Sequence, residues 1–200
     1  MPIVENPLSD FSSTTLQSLK SEMLISVFTD CTHLKDGACE AFVLRTKTKD
    51  VCVALHDNAF QHPLVYDPIS KCYDVSVMTV APCTQAQTEG RIGDIVHRDD
   101  SREPLRRRAH HIGKTIRRIV LLVETVWFND PNEDDSGTIQ MAEAERIYLR
   151  EVRGLALIFD DCHLVFDKGI FWGTLWDIYQ NPGVEVQIPP DFPNCKFIEL

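Results

Sequence analysis

The stretch Leu155–Phe159 reads Leu-Ala-Leu-Ile-Phe, and Val51–Leu55 reads Val-Cys-Val-Ala-Leu. Neither run alternates apolar with polar residues, which predicts that both faces of each segment avoid water. Each run is short and rich in large or β-branched side chains, as strands are. We therefore expect two central strands, each covered on its second face by a helix or by another sheet.

Further strand patterns surround these two runs. Ala41–Thr46 is separated from the first run by a turn at Lys47–Lys49, which predicts a hairpin. A short helix is expected over residues 13–23, with Ser13 as its N-cap. The sequence thus predicts a mainly β (α+β) fold of two packed antiparallel β units. Other segments of strand character are Leu24–Thr29, Leu64–Tyr66, Asp74–Val80, Ile119–Phe128, Arg146–Val152, His163–Phe166, Leu175–Tyr179 and Val184–Ile188.

The two halves of the chain resemble each other in the order of their apolar segments, at an offset of about one hundred residues. In the best window the one identity is Asp57 with Asp161. An internal duplication is one interpretation, and a pattern shared by any two β halves is the other. The matched segments are Leu24–Asp30 with Val120–Val126, Phe42–Arg45 with Ile147–Arg150, Val51–Leu55 with Leu155–Phe159, and Tyr73–Val75 with Trp176–Ile178.

The amino-acid composition limits the classes of protein to which this chain can belong. Two hundred residues, 44% hydrophobic and 25% charged, suit a folded globular chain that buries a core without disulfides or metal. The N-terminal residues lack a signal-peptide pattern, and no apolar run approaches the ~20 residues of a membrane-spanning helix. Seven cysteines at irregular spacing fit reduced thiols. A cytoplasmic protein without membrane association is expected.

A basic segment stands apart from this acidic chain. Residues 102–118 hold seven Lys or Arg and one Glu, so the segment carries +6 and the remainder of the chain −16. Apolar residues recur in it at spacings of three and four, which predicts an amphipathic helix. Its candidate binding residues, for a partner or for phosphate, are Arg106, Arg107, Arg108, His110, His111, Lys114, Arg117 and Arg118.

Three interpretations of this segment stay open. The cations could neutralise acidic loops of the same chain, as exposed charge runs commonly do. They could contact the phosphates of a nucleic acid or nucleotide. They could also pair with the carboxylates of another protein. The segment contains no aromatic residue for stacking on bases, which weakens the second interpretation.

Catalytic and cofactor motifs are weak. Gly113-Lys114-Thr115 ends like a phosphate-binding loop, but Arg108 occupies the position of the required glycine. Cys31, His33 and Cys39 lack the paired spacing of a zinc site. Tight turns by themselves explain the carboxylates and imidazoles at His56, Asp57, Asp160, Asp161 and His163. We therefore assign no catalytic residue, metal or cofactor.

Two aromatic residues, Phe171 and Trp172, are candidate anchors for a partner protein, because large aromatics supply much interface energy. By elimination, the leading hypothesis is a non-enzymatic intracellular protein-binding module of inhibitor, immunity or adaptor type. A nucleic-acid- or nucleotide-binding factor using the basic segment is the alternative, and an unrecognised hydrolase is the third. The expected organisation is an N-terminal β unit (1–83), a linker with the basic helix (84–118) and a C-terminal β unit with an extended tail (119–200).

Overall fold

The computed structural model of the protein describes residues 3–29, 41–56, 66–67, 72–73, 77–84, 113–128, 147–168, 176–186 and 195–200. The fold is mainly β, as predicted, with two large sheets and one helix in these residues. No helix among them has the length and apolar character needed to cross a membrane. The elements are β1 (Ile3–Asn6), α1 (Asp10–Gln17), β2 (Met23–Thr29), β3 (Ala41–Thr46), β4 (Asp50–His56), β5 (Tyr66–Asp67), β6 (Cys72–Tyr73), β7 (Val77–Cys83), β8 (Lys114–Thr115), β9 (Arg118–Phe128), β10 (Ile147–Ile158), β11 (Cys162–Lys168), β12 (Trp176–Pro182) and β13 (Cys195–Glu199).

The first sheet has the strand order β7-β4-β3-β2-β8, and all of its pairings are antiparallel. The predicted hairpin is confirmed, since Arg45 lies opposite Asp50 in the β3–β4 pair. The Arg45 guanidinium also donates to the Asp50 carboxylate, with Nη2 and Oδ2 2.8 Å apart, which stabilises this register. A separate pair of short strands joins β5 to β6.

The second sheet has the order β12-β11-β10-β9-β13, and β1 pairs in parallel with the first half of β10. This parallel strand departs from the antiparallel unit that the sequence predicts. The expected strands 146–152 and 155–159 are one continuous strand, β10, whose register shifts between Val152 and Gly154. The extra residue at this bulge is Arg153, and the shift keeps apolar residues on the core face on both sides of it.

The two sheets pack face to face around one apolar core. Phe42 of β3 stacks on Phe166 of β11, with ring centroids 4.0 Å apart and planes 12° from parallel. Both side chains are essentially without solvent exposure. The core draws residues from both sheets and from α1, among them Leu16, Leu44, Val51, Val53, Leu121, Leu155, Leu157 and Leu164.

The two apolar runs differ in how they are buried. Leu155–Phe159 is buried on both faces, as predicted. In Val51–Leu55 the odd-numbered residues face the core, whereas Cys52 and Ala54 are half-buried on the other face. The expectation of two fully buried faces is therefore wrong for β4, although β4 is a central strand between β3 and β7.

Helix α1 begins earlier than expected. Its N-cap is Ser9, whose hydroxyl accepts from the Ser12 N–H at 3.2 Å, so the prediction of Ser13 as cap is wrong. Ser12–Thr15 is a run of residues that are all common at helix caps. The sequence pattern therefore places the N-cap four residues too late. The Ser12 hydroxyl accepts from the N–H of Val80 at 3.0 Å and donates to its carbonyl oxygen at 3.3 Å. The helix thereby covers the edge strand β7.

The basic helix does not extend to Arg118 as predicted. Gly113 lies in a turn, Lys114–Thr115 forms β8, and Arg118 begins β9. Pairing with β2 and complete burial of Ile116 stabilise an extended backbone here. These tertiary interactions outweigh the helical spacing of the apolar residues. Residues 102–112 lie outside the described part of the chain.

Two further differences concern the C-terminal region. Residues 184–186 form no strand, contrary to the prediction for Val184–Ile188, and residues 187–188 are not described. Cys195–Glu199 forms β13, which the sequence analysis did not identify. For the suggested repeat, Phe42–Arg45 and Val51–Leu55 lie on two paired strands, whereas both of their matched segments lie on β10. The duplication stays a prediction.

Candidate functional site

The segment Gly113–Arg118 lies where the two sheets meet. Gly113 has a φ of +83°, a conformation that glycine adopts at low cost. Its N–H donates to the carbonyl oxygen of Leu24 at 3.0 Å, and the N–H of Arg117 donates to that of Ile158 at 2.8 Å. The segment therefore connects the start of β2 to the end of β10, beside the turn between β10 and β11.

Two of the candidate binding residues, Lys114 and Arg117, form ion pairs with carboxylates of that turn. Lys114 Nζ lies 2.7 Å from Asp161 Oδ1, and Arg117 Nε lies 2.8 Å from Asp160 Oδ1. The hydrogen bond from Lys114 lowers the pKa of Asp161, and the one from Arg117 lowers the pKa of Asp160. All four groups are accessible to solvent, so these ion pairs are screened by salt.

A third predicted contact residue is paired in the same way. Arg118 Nη2 lies 2.8 Å from Glu199 Oε2 of β13. All the cations of the predicted basic face that fall within the described residues thus have a carboxylate partner in this chain. This arrangement favours the interpretation of charge neutralisation for these three. The other candidates, Arg106, Arg107, Arg108, His110 and His111, lie outside the described residues.

Among the residues that the structure describes, the side chains considered for acid–base chemistry do not assemble into a site. Asp160 and Asp161 are occupied by ion pairs, whereas His163 is buried and its Nδ1 donates to the Gly183 carbonyl oxygen at 2.9 Å. His56 lies at the end of β4 farthest from the β3–β4 turn and contacts Thr79. Asp57 is not described.

Cys52, Cys83, Cys162 and Cys195 form no disulfide with one another. Burial raises the pKa of the Cys162 thiol, with a further contribution from Asp161. Burial, followed by the negative charge of Glu124, raises the pKa of Cys195 to about 11. Both thiols are therefore protonated at neutral pH and are poor nucleophiles. Among described residues no group of three His, Cys, Asp or Glu side chains could hold a metal ion, and Cys31, His33 and Cys39 are not described.

A network of charges is buried on the outer face of the second sheet. Arg153, at the β10 bulge, lies between Glu124 Oε2 at 2.8 Å and Asp167 Oδ1 at 3.2 Å. Beside it, Lys168 Nζ donates to Glu151 at 2.8 Å. Because these side chains pair with one another, we infer that the network has a structural role, which is to fix the strand register of the second sheet, rather than a catalytic one.

The surface best suited to contact a partner lies at β13, an end strand of the second sheet. In the described residues β13 pairs only with β9. Its apolar side chains Phe197 and Ile198 are 38% and 49% exposed, and Val184 nearby is 40% exposed. A cavity of about 290 Å³ adjoins Phe197. We call β13 and this cavity the edge surface. The cavity is lined by Arg118, Val120, Ile158, Val184, Glu185, Val186 and Phe197.

Sequence reasoning missed this surface because it treated the Pro-rich tail as simply extended. A signal is present in Lys-Phe-Ile-Glu (196–199), where apolar residues are bounded by charges in a short strand-forming run after the last proline. The predicted anchors Phe171 and Trp172 lie in a part of the chain that is not described.

No protein-family model matches this chain, and comparisons with curated proteins and with solved structures find no significant match.

Proposed function

We propose that this protein is a non-enzymatic protein-binding module of inhibitor, immunity or adaptor type, acting in the cytoplasm. The observation that carries the proposal is the edge surface, where a strand with exposed Phe197 and Ile198 lies beside an apolar cavity. An end strand presents backbone N–H and C=O groups that an extended segment of another protein can pair with.

The two edges of the first sheet are less suited to this role. Helix α1 covers β7 through the hydroxyl of Ser12, and β8 has only two residues. The edge surface also has the mixture of apolar side chains and flanking charges that is common at protein interfaces. Lys196, the second residue of β13, is exposed and discourages indiscriminate pairing of the strand.

The alternatives receive less support from the described residues. Nucleic-acid binding by the basic segment requires cations that are free to meet phosphates, and Lys114, Arg117 and Arg118 are held by carboxylates. A hydrolase requires an activated nucleophile or paired acid–base groups. The carboxylates Asp160 and Asp161 are instead bound to cations on an open turn.

The test compares three forms of the full chain: the unmodified protein, Phe197→Ser, and Phe11→Ser as a matched control. Phe11 is 62% exposed on α1, the helix that packs against β7 of the first sheet. Each form is immobilised on a support and incubated with an extract of the native cell. The proteins that bind are then quantified by mass spectrometry. Circular dichroism and urea unfolding check that each variant is folded.

We expect at least one protein to be retained by the unmodified chain and by Phe11→Ser, and to be lost with Phe197→Ser. Hydrogen exchange of β13 should slow when that protein is added, because its exposed amides become hydrogen-bonded. Equal capture by all three forms, or no change in exchange at β13, would contradict the proposal.

A further inference from the structure

Two thiols lie on the face of the first sheet that is turned away from the core. In the β4–β7 pair Asp50 lies opposite Cys83, and Cys52 lies opposite Ala81. Cys52 and Cys83 are therefore diagonal neighbours on one face of two adjacent strands. Both are half-buried, whereas the two cysteines of the second sheet are buried.

A cavity of about 380 Å³ adjoins Cys83 at the end of the sheet where β3 turns into β4. Its volume is within the range of small-molecule sites, ~300–1,000 Å³. The rest of its lining is the polar run 45–50, which reads Arg-Thr-Lys-Thr-Lys-Asp. A small oxidant dissolved in water can therefore reach the thiol of Cys83.

The cations of this cavity outnumber its carboxylates. Arg45 is matched by Asp50, to which it donates hydrogen bonds of 2.8 and 3.0 Å. Lys49 lies 3.9 Å from Glu22. Lys47 is exposed and forms no ion pair with any residue that the structure describes. One positive charge of the lining therefore stays uncompensated, even when Glu22 is counted.

Reactive cysteines are found in surroundings of this kind. Positive charge beside a partly exposed thiol favours the thiolate, which is the form that oxidants attack. A second thiol nearby then converts the first oxidation product into a disulfide. Cys83 meets the first condition and Cys52 the second. Cys162 and Cys195 do not meet the first, because they are buried and the pKa of each thiol is raised.

The end of β7 is placed to bring the two thiols together. Diagonal neighbours in an antiparallel pair have Cα atoms about 7–8 Å apart, and disulfides span up to about 6.8 Å, so an approach of about 1 Å is needed. Cys83 is the last residue of β7, and β4 is the one described strand with which β7 pairs. The end of this edge strand can therefore shift while Ser12 holds the strand at Val80.

We propose that Cys83 and Cys52 are a peroxide-sensitive thiol pair. The thiolate of Cys83 attacks hydrogen peroxide, the O–O bond breaks, and a sulfenic acid and hydroxide form. The hydroxide takes up the proton that the Cys83 thiol released. The Cys52 thiol then attacks the sulfenic sulfur, the S–O bond breaks, and a disulfide and water form. In total the two thiols lose two electrons and two protons, and one peroxide becomes two water molecules.

The experiment treats the reduced full chain with hydrogen peroxide, with dimedone present in a parallel sample to trap sulfenic acid. Catalase stops the reaction, and remaining thiols are alkylated with iodoacetamide in denaturant. Digestion without reductant and mass spectrometry then identify the products. The forms compared are the unmodified chain, Cys83→Ser, Cys52→Ser, Lys47→Gln and, as an equal charge change outside the cavity lining, Lys20→Gln. Circular dichroism checks that each variant is folded.

In the unmodified chain the main product should be a peptide that links Cys52 to Cys83. Cys52→Ser should instead accumulate the dimedone adduct on Cys83, because the sulfenic acid has no thiol to react with. Cys83→Ser should give neither product. Lys47→Gln should slow the oxidation of Cys83 about twofold to fivefold, and Lys20→Gln should leave the rate unchanged.

Three results would overturn the proposal. Cys83 linked to a different cysteine, or a stable sulfenic acid on Cys83 in the unmodified chain, would show that Cys52 does not react with it. Oxidation of Cys162 or Cys195 as fast as that of Cys83 would contradict the selection of Cys83 by its surroundings. Equal slowing by Lys47→Gln and Lys20→Gln would show that the charge of the cavity has no local effect. None of these results bears on the edge surface, which capture by the Phe197→Ser variant tests.

Discussion

The contact between Phe42 and Phe166 joins the two sheets, and its loss should be measurable as a coupling energy. Replacing either ring by leucine keeps most of the apolar volume and should lower the free energy of unfolding by about 1–3 kcal/mol. Rings stacked at 4.0 Å contribute ~0.5–1.5 kcal/mol beyond burial. The double variant should therefore lose less than the sum of the two single losses, by that amount.

Urea unfolding followed by circular dichroism measures these energies, and the slope of free energy against urea should stay constant. Ile158 provides the control, because it is buried on the outer face in a separate apolar cluster. Phe42→Leu combined with Ile158→Val should be additive within ~0.3–0.5 kcal/mol. Additivity of Phe42→Leu with Phe166→Leu as well would refute the packing of these sheets through the ring pair.

Further outcomes follow from three residues of the second sheet. Gly154→Ala should cost about 1–3 kcal/mol in urea unfolding, since the new Cβ would lie 2.7 Å from the carbonyl oxygen of Phe166. Arg153→Met should cost ~3–5 kcal/mol, because it removes the cation between two buried carboxylates, and unchanged stability would contradict the buried network. Cys195 should resist iodoacetamide at pH 8 in the folded protein and react after unfolding, as followed by mass spectrometry. Folding raises the pKa of that thiol from 9.0 to about 11. The free energy of unfolding should therefore fall as the pH rises through this interval, and this fall should be absent in Cys195→Ala.

Strands with local signals were predictable from the sequence. The β3–β4 hairpin follows from two apolar segments flanking a turn, and β9 from the long β-branched and apolar run Ile119–Phe128. Continuity of β10 was harder to predict, because Arg153 and Gly154 resemble a break when they in fact form a bulge. The parallel pairing of β1 has no local signal, since it depends on residues far away in the chain.

The candidate site was less predictable for a related physical reason. Helical spacing in residues 102–118 is a local property, but Lys114 and Thr115 pair with β2, and this tertiary contact overrides the spacing. The acidic turn at Asp160 and Asp161 was visible in the sequence, yet its pairing with Lys114 and Arg117 required the sheets to meet. The exposure of β13 likewise depends on its place at the end of a sheet.

The position of β1 has a consequence for biosynthesis. Ile3–Asn6 pairs with Tyr148–Glu151, so its neighbour in the sheet is translated about 145 residues later. Closing so long a loop costs entropy, and folds rich in distant contacts form slowly. On the ribosome this strand lacks its sheet neighbour until β10 has been synthesised, and unpaired strand edges are prone to aggregation during such an interval.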